Sequence, residues 1–338
     1  MRVSACARGI LAGIVVGLLF VWAGDAAAEG YGPFPVRNFQ PLQMLFLGMP
    51  GDRAAVLKKG ALDVRVELAD TATVFDDRIL PTTATMKFEQ LRSGLFLRYG
   101  LTEKLEVAVE VPAVYRYRGI LEGAITGVER ATTGLAPARK SLENRGYVYN
   151  VSRNGNVMFS GSNNTLGLGD TTFIGKYQLL TEDHGWTPTL SLRVAAKAPT
   201  GDSAQFFGSG HPDFGVGVAV EKAVATNWLL YGNFNVVQPT GTVSNLSLQT
   251  VLTGIGAVEY LWSPALSFVA QFDYYSSAYH GTGSPVLDRG VTEAAFGFNY
   301  ELRRNLLWQV YGIENLDILR GSAADFTLST VVTYRFGN

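Results

Sequence analysis

The feature that most constrains the fold is a two-residue period in which charged side chains keep to one side. It is clearest between Leu166 and Gly201, where two arms flank a short polar turn. In the second arm, alternate residues from Leu190 to Ala198 are apolar, and Arg193 and Lys197 fall on the opposite side. This alternation predicts β-strands with two different faces. Each arm is long enough for the roughly 9 to 11 residues with which a tilted strand crosses a bilayer.

The same pattern recurs in twelve segments between Ala61 and Phe336. Their connections alternate strictly in length, with short ones at 102–104, 181–186, 226–227, 263–264 and 303–305, and long ones at 75–84, 118–164, 200–211, 238–246, 277–290 and 317–324. Outer-membrane barrels have an even number of antiparallel strands, short periplasmic turns and long extracellular loops. The sequence therefore predicts an all-β fold, a transmembrane antiparallel β-barrel of about 12 strands, over residues 60–338.

A soluble β-sandwich or lipocalin-like barrel is the alternative fold, but its strands should be shorter and its charged faces should point to water. A charge that faces lipid at the midplane costs about 2 to 4 kcal/mol, so a chain in the bilayer keeps its charges on one parity, as this one nearly does. An interfacial aromatic girdle is predicted near the ends of the outward faces, from Tyr99, Tyr115, Tyr177, Trp228, Tyr260, Trp262, Tyr274, Tyr300, Trp308 and Tyr334.

Two places break the parity rule. Lys87 and Glu89 fall on the outward side, which predicts either a bulge or the start of an extracellular extension near Gln90. Glu314 also takes the outward parity. We therefore expect that strand to have left the membrane, or to have bulged, before Glu314.

Residues 1–28 have the features of a signal peptide. Arg2 and Arg8 precede an apolar run from Ile10 to Val21, and small residues end at Ala28. The alternative is a retained membrane helix, but the apolar run is too short for one. We expect export to the cell outer membrane of a Gram-negative bacterium after cleavage near Ala28. The only cysteine, Cys6, would leave with the signal, so the mature chain would have no disulfide and no thiolate chemistry.

Two segments lack the strand period. Residues 29–59 contain four prolines and cannot form a central strand. They are interpreted either as a periplasmic leader beneath the barrel or as a plug that enters its lumen. The other segment, 118–164, is too long for a compact soluble domain but suits an extracellular loop. Gly119 to Gly134 within it is predicted to hold a short helix that folds over or into the mouth.

Three stretches carry a resemblance to known proteins. They are GPFPVRNFQPL after the signal, GLGDTTFIGKYQLL, and KAPTGD followed by GSGHPDFGVGVAVEK. Together they resemble an uncharacterised family of proteobacterial outer-membrane barrels, which is similar to the phenol meta-pathway outer-membrane proteins and to proposed transporters of hydrophobic compounds. The resemblance covers essentially the whole mature chain. It implies a barrel and a transport role, and it implies no reaction.

The residues give little support for catalysis. The chain has three histidines, His184 in a short turn and His211 and His280 in long loops. Ser209 and Asp213 flank His211, but neighbours on one loop rarely reach the geometry of a catalytic triad. We therefore expect no enzyme activity and no cofactor. No metal site is predicted either, and without a basic patch no nucleic-acid partner is expected.

The inward faces would line the lumen with both signs of charge. The predicted lining residues are Arg65, Glu67, Arg92, Arg98, Glu106, Glu110, Arg116, Lys176, Arg193, Lys197, Glu221, Glu259, Asp273, Glu293 and Arg335. Twelve strands lie between the eight that side chains fill and the sixteen or so that leave a water channel. The lumen is thus either closed and ion-paired, or a narrow path or pocket gated by the long loop or by the N-terminal segment.

The function predicted from these features is a narrow channel or transporter for small, hydrophobic or amphipathic solutes. One alternative is a structural or adhesive surface protein that acts through 118–164, and a weaker one is an outer-membrane lipid hydrolase. The expected partners are outer-membrane lipid, the barrel assembly machinery and a small-molecule solute. Whether the protein is a monomer or a homo-oligomer is left open.

Overall fold

The computed structural model describes residues 29–183, 185–316, 318–319, 321 and 323–337. The predicted signal peptide, residues 1–28, and His184 lie outside the described residues. In the part that is described, no helix is both long and apolar enough to cross a membrane.

The described residues form one antiparallel β-sheet that closes on itself. Its strands are β1 (Leu62–Asp77), β2 (Thr82–Gly100), β3 (Leu105–Tyr117), β4 (Val148–Arg153), β5 (Asn156–Ser160), β6 (Thr165–Leu168), β7 (Thr171–Leu180), β8 (Thr189–Ala198), β9 (Asp213–Ala225), β10 (Trp228–Pro239), β11 (Val251–Ser263), β12 (Leu266–Tyr275), β13 (Val291–Arg303), β14 (Leu306–Asn315) and β15 (Phe326–Phe336). All except β4, β5 and β6 make up the wall, which β1 closes by pairing with β15. The predicted all-β, twelve-stranded antiparallel barrel is confirmed.

The two-residue period divides each wall strand between two environments. On β9, Phe214 and Val218 point outward and are 55% and 37% exposed, while the inward Asp213 and Glu221 are buried. Most of the predicted aromatic girdle lies within three residues of a strand end, on the side of the barrel where the short turns lie. These residues are Tyr99, Tyr177, Trp228, Tyr260, Trp262, Tyr300, Trp308 and Tyr334. We call this the short-turn end and the opposite one the long-loop end. In outer-membrane barrels, short turns lie at the periplasmic end and long loops at the extracellular end.

The β1–β2 hairpin differs from the prediction. Residues 78–81 alone connect the two strands, so the predicted long connection at 75–84 is wrong. The strand register runs without a shift past Gln90, which lies opposite Thr71. Near Gln90 the predicted bulge is therefore wrong, and the predicted extension is present. On β14 the register is also unbroken as far as Glu314, which lies at the long-loop end.

The segment 118–164 is more ordered than its composition suggested. Its strand β4 pairs with the long-loop end of β2, and β5 pairs with β4, while β6, directly after the segment, pairs with the long-loop end of β3. It also contains helices α1 (Leu121–Ala131) and α2 (Pro137–Ser141), whereas α3 (Pro285–Asp288) lies in a later loop. The predicted long connection therefore contains regular structure, and a helix lies between Gly119 and Gly134 as predicted.

Helix α1 does not fold over the mouth. The backbone amides of Ile120, Leu121 and Glu122 donate hydrogen bonds of 2.7, 3.0 and 2.6 Å to the carboxylate of Glu89. Glu89 shares the outward parity of β2 with the exposed Leu95. Gly119 has a positive φ, and a Cβ there would overlap Glu89, so glycine permits this close approach. The helix starts on the outer face of the barrel because β2 has already passed beyond its lipid-facing part.

Candidate functional site in the barrel lumen

The N-terminal segment, residues 29–59, runs up and back through the interior of the barrel. At the short-turn end, the Tyr31 hydroxyl donates to the carbonyl oxygen of Pro264 at 2.6 Å. At the long-loop end, the Tyr279 hydroxyl donates to the carbonyl oxygen of Leu42 at 3.0 Å. The chain then returns, and the Gly60 amide donates to the carbonyl oxygen of Gly100 at 2.8 Å, directly before β1 begins. Of the two interpretations of this segment, the geometry matches the one that enters the lumen.

The proline content of the segment explains how it is held. Without strand pairing, its backbone donors need other acceptors, and polar side chains of the wall supply them. Six backbone amides of the segment donate to wall side chains over distances of 2.7 to 3.1 Å. The pairs are Phe34 to Gln271, Leu47 to Asp213, Asp52 to Asn233, Ala54 to Glu221, Val56 to Gln178 and Leu57 to Glu106. These acceptors come from five different wall strands. The segment is therefore attached around the barrel by side-chain hydrogen bonds and is not part of the sheet.

Ion pairs add to this attachment. Asp52 lies 3.1 Å from Lys176 and 3.5 Å from Arg98. Two arginines of the segment bind wall carboxylates, with Arg53 at 3.0 Å from Glu221 and Arg37 at 2.9 Å from Glu110. This segment has no period to indicate which way its side chains point, so the sequence alone does not identify Asp52, Arg53 and Arg37 as lumen residues.

Other charges pair within the wall. Arg92 is 2% exposed and pairs with Glu67 at 2.7 Å and with Glu110. Arg98 lies 2.9 Å from Glu106, and Lys197 lies 2.6 Å from Asp170 and 3.1 Å from Asp213. Because a buried charge needs partners to offset its lost hydration, these pairs explain how the interior holds so many ionised groups.

The remaining predicted lining residues are also on the inward parity. Arg116 and Arg193 donate to backbone carbonyls, Glu259 accepts from Tyr231 and Asp273 accepts from Gln271, whereas Arg335 lies at the exposed rim and pairs with Asp63. Thirteen of the fifteen predicted residues are buried, and Arg98 and Arg335 are the other two. Arg65 is buried, but unlike the other arginines of this set its side chain has no ion pair or hydrogen bond to any described residue.

The long-loop end of the lumen is closed by an apolar cluster. The tip of the N-terminal segment contributes Leu42, Leu45 and Phe46, and the surrounding loops and strand extensions contribute Tyr149, Val151, Phe159, Val243, Leu246, Tyr279 and Leu287. The ring centroid of Tyr279 lies 5.4 Å from that of Phe46 and 6.0 Å from that of Phe159. A solute that passes this end must displace or rearrange apolar side chains.

The short-turn end is open. A cavity of about 490 Å³ lies there between the N-terminal segment and strands β1, β2, β13, β14 and β15. Six of its lining residues are basic and four are acidic, and Val56, Leu57, Leu306 and Leu307 add apolar surface. We call this space the vestibule. It is of the size usual for small-molecule sites.

The histidine site considered in the sequence is not assembled as a triad. The Ser209 side chain accepts from Lys197 at 2.6 Å, and the ring nitrogen Nδ1 of His211 lies 3.2 Å from the backbone oxygen of Ser209. Asp213 also lies against Lys197. The hydroxyl and carboxylate are thus engaged by a lysine. In the described ranges, no group of three or more His, Cys, Asp or Glu side chains is arranged to hold a metal ion.

Comparison with solved structures gives barrels of the same kind. The COG4313 outer membrane channel from Pseudomonas putida F1 is 16% identical, with a TM-score of 0.57 over 85% of this chain and 99% of that one. The NanC porin is 12% identical, with a TM-score of 0.45 over 81% and 98%. The toluene transporter TodX of P. putida is 9% identical, with a TM-score of 0.38 over 94% and 99%.

Sequence comparison gives a single family. Residues 10–336 match the model of a family described as a protein of unknown function, DUF3187. No curated protein matches the sequence. The structural neighbours are channels and porins, and the likeness to them is one of fold.

Proposed function

The chain belongs to the DUF3187 family of proteins of unknown function, and we propose that it is an outer-membrane channel for small solutes whose gate is the N-terminal segment. One observation carries this proposal. The segment that fills the lumen is held to the wall by side-chain hydrogen bonds and ion pairs, and it does not pair with the strands of the sheet. In eight-stranded barrels the wall side chains fill the interior themselves. Here the wall leaves room for about thirty residues of chain, from 29 to 59, and removal of that chain would leave a polar passage.

The contacts between the N-terminal segment and the wall favour a segment that can move as a gate, in contrast to one that stays permanently in the core of the barrel. Pairs such as Lys176 with Asp52 and Arg53 with Glu221 hold the segment with charged and polar contacts. Such contacts have counterparts in water. Phe34, Val36 and Phe39 also pack in an apolar cluster with wall residues such as Tyr311, and the cost of exposing that cluster keeps the segment in place most of the time. The segment is also continuous with β1 at the short-turn end, so it would swing into the periplasm without leaving the protein.

The solutes are proposed to be small and at least partly apolar. The apolar cluster around Phe46 and Tyr279 guards the long-loop end, and a strongly hydrated ion would pay a desolvation penalty there. The inward charges below this cluster would select the sign of a charged solute. The outward apolar side chains would face membrane lipid, with assembly by the usual barrel machinery.

The adhesive alternative has less support. It needs 118–164 as a free surface, but the amides that open α1 are bound to Glu89, β4 is paired with β2 of the wall, and β5 is paired with β4. Removal of residues 121–145 tests it directly. Unchanged conductance together with lost binding to host or bacterial surfaces would favour adhesion.

Planar-bilayer conductance tests the channel. Three forms are compared: the mature chain, a variant without residues 31–57, and a double variant Ala54→Cys with Ser191→Cys. The Ser191 hydroxyl donates to the carbonyl oxygen of Ala54, so the two residues are neighbours, and formation of the disulfide is checked by the loss of free thiols on oxidation. We expect rare openings from the mature chain, none from the oxidised double variant, and their return on reduction.

The variant without residues 31–57 should conduct steadily, provided that it still shows the heat-modifiable gel mobility of a folded barrel. Ser191→Cys alone is the control for the disulfide. If neither the mature chain nor the folded deletion variant conducts, the channel proposal is wrong.

A further inference from the structure

We propose that the vestibule binds a small organic monocarboxylate with an apolar body, and that Arg65 is the group that holds its carboxylate. As the identity of a transported solute this rests on the proposed channel function, whereas the binding site itself does not.

Arg65 is a buried cation without a partner in the described chain. It is 9% exposed, its Nε is buried without a hydrogen bond, and no carboxylate oxygen of a described residue lies within 4.0 Å of its nitrogens. All the other predicted lining arginines bind a carboxylate or a backbone carbonyl. An unpaired buried charge is costly, so an external anion is the expected partner.

The carboxylates nearest in sequence are already engaged. Asp63, two residues before Arg65 on the same face, accepts both of its bonds from Arg335, at 2.8 and 3.0 Å. Glu67, two residues after, accepts from Arg92 at 2.7 Å and from Tyr311 at 3.3 Å. If Asp63 turned to Arg65, Arg335 would lose its carboxylate partner, and if Glu67 did so, Arg92 would keep only Glu110.

The guanidinium of Arg65 is held in place by an aromatic ring. Its central carbon lies 3.8 Å from the ring centroid of Phe96, which is directly opposite Arg65 on β2. A guanidinium stacked in this way keeps its planar set of donors free at the edge. That edge suits the two oxygens of a carboxylate in a bidentate pair.

The vestibule supplies room for the rest of the ligand. Arg65 lines the cavity of about 490 Å³, together with apolar surface from Leu306, Leu307, Val56 and Leu57. Among the ten charged lining residues the basic ones exceed the acidic ones by two, so the local field favours an anion. A single free guanidinium matches a single negative charge, which favours a monocarboxylate over a multiply charged phosphate.

Calorimetric titration of the purified, full mature protein tests the site, with sodium benzoate as the probe. Benzamide has the same shape without the charge, and inorganic phosphate has the charge without the apolar body. We expect benzoate to bind at least tenfold more tightly than either. Phosphate binding equal to that of benzoate would overturn the assignment to monocarboxylates, and absence of benzoate binding would overturn the site.

Two variants of Arg65 and one matched control are titrated alongside. Arg65→Gln should weaken benzoate binding at least tenfold, and Arg65→Lys should weaken it severalfold because the planar fork is lost. Arg303→Gln carries the same change at an exposed position outside the vestibule lining and should bind as the unaltered protein does. Unchanged benzoate affinity in Arg65→Gln would show that Arg65 is not the binding group.

Thermal unfolding separates a binding role from a structural one. Ligand-free Arg65→Gln should melt no lower than the unaltered protein, since it removes an unpaired buried charge. Benzoate should raise the melting temperature of the unaltered protein and leave that of Arg65→Gln unchanged. A lower melting temperature in the variant, with the benzoate effect retained, would mean that Arg65 acts only in the fold and would refute the proposal.

Failure of this site and failure of the channel are distinguishable. If benzoate binds but the folded variant without residues 31–57 does not conduct, the site stands and the channel does not. If that variant conducts but benzoate binding does not depend on Arg65, the channel stands and the site does not.

Discussion

The Nζ atom of Lys176 on β7 lies 3.1 Å from a carboxylate oxygen of Asp52, and this pair joins the wall of the barrel to the segment that fills it. The same ammonium group donates to the carbonyl oxygen of Arg53 at 3.1 Å and lies 3.4 Å from Glu106. Its side chain is only 1% exposed. A single wall residue thus binds two consecutive residues of the N-terminal segment.

Lys176→Gln should loosen the N-terminal segment. Hydrogen bonds to charged groups contribute about 1.5 to 3 kcal/mol each, and Asp52 would keep only the longer contact to Arg98. We expect at least a tenfold rise in the open probability recorded in planar bilayers. The control is Lys104→Gln in an exposed short turn, which should leave it unchanged. An open probability of Lys176→Gln equal to that of the unaltered protein would contradict the role given to this pair.

Arg92→Met should destabilise the barrel more than any rim substitution. It would leave the buried carboxylates of Glu67 and Glu110 without their shared cation, and loss of one partner from a buried pair costs about 3 to 5 kcal/mol. Arg335→Gln is the comparison, because Arg335 pairs with Asp63 but its side chain is 45% exposed; exposed pairs contribute about 0 to 1 kcal/mol. The measurement is urea unfolding in detergent, followed by tryptophan fluorescence.

The wall could be predicted because lipid imposes one rule on every strand. Val218 and Phe234 lie on the outward face, and Arg193 and Glu221 on the inward face, as two-residue counting alone indicates. Beyond the bilayer, outward-facing residues no longer need to be apolar. Glu89 has outward parity but lies beyond the lipid, and there it binds the start of α1, a contact that no periodicity encodes.

The partners inside the lumen could not be predicted for a related reason. The two-residue period predicts that Arg65 and Arg92 both point into the lumen. The ion-pair partner of each depends on which strand lies opposite it and on which side chains fill the lumen between the strands. Arg92 finds Glu67 and Glu110, whereas Arg65 finds only the ring of Phe96. The N-terminal segment has no period at all, so the contacts of Asp52 and Arg53 arise from tertiary structure alone.

Glu89→Gln should release the first turn of α1. Three amide donors converge on the Glu89 carboxylate, and a neutral amide with a single oxygen accepts fewer and weaker bonds. We expect the amides of residues 120–122 to exchange with solvent about ten- to a hundredfold faster, consistent with a loss of about 1.5 to 3 kcal/mol. Hydrogen exchange with mass spectrometry measures this. Glu103→Gln, in an exposed turn, should leave that exchange unaltered.

The turn between β7 and β8 should have a measurable pH dependence. The Thr187 hydroxyl and the Gly185 amide each donate to Asp183 at 2.8 Å, and these bonds hold the pKa of Asp183 below its usual value. A lowered carboxyl pKa stabilises the folded turn above the ordinary value of about 3.9, and this contribution is lost as the pH falls through the folded-state pKa. Carboxyl carbon NMR of labelled aspartate measures the midpoint.

Thr187→Val should raise the pKa of Asp183 toward its usual value, because it removes the side-chain donor and keeps the backbone ones. Thr102→Val, in a different short turn, should leave that pKa unaltered. An Asp183 midpoint that does not move in Thr187→Val would mean that the hydroxyl bond does not stabilise the carboxylate.

Paired arginine substitutions locate the lipid boundary on the outer face. Val218 points outward from the middle of β9, so Val218→Arg would place a charge near the bilayer midplane, at a cost of about 2 to 4 kcal/mol. Val157 is 59% exposed on β5 at the long-loop end, where water surrounds it. Val157→Arg should therefore change the free energy of unfolding by less than about 0.5 kcal/mol, as for an ordinary surface position. Refolding into lipid vesicles with urea titration measures both. Equal effects would mean that lipid does not cover Val218, and the parity argument for the whole wall would then lose its physical basis.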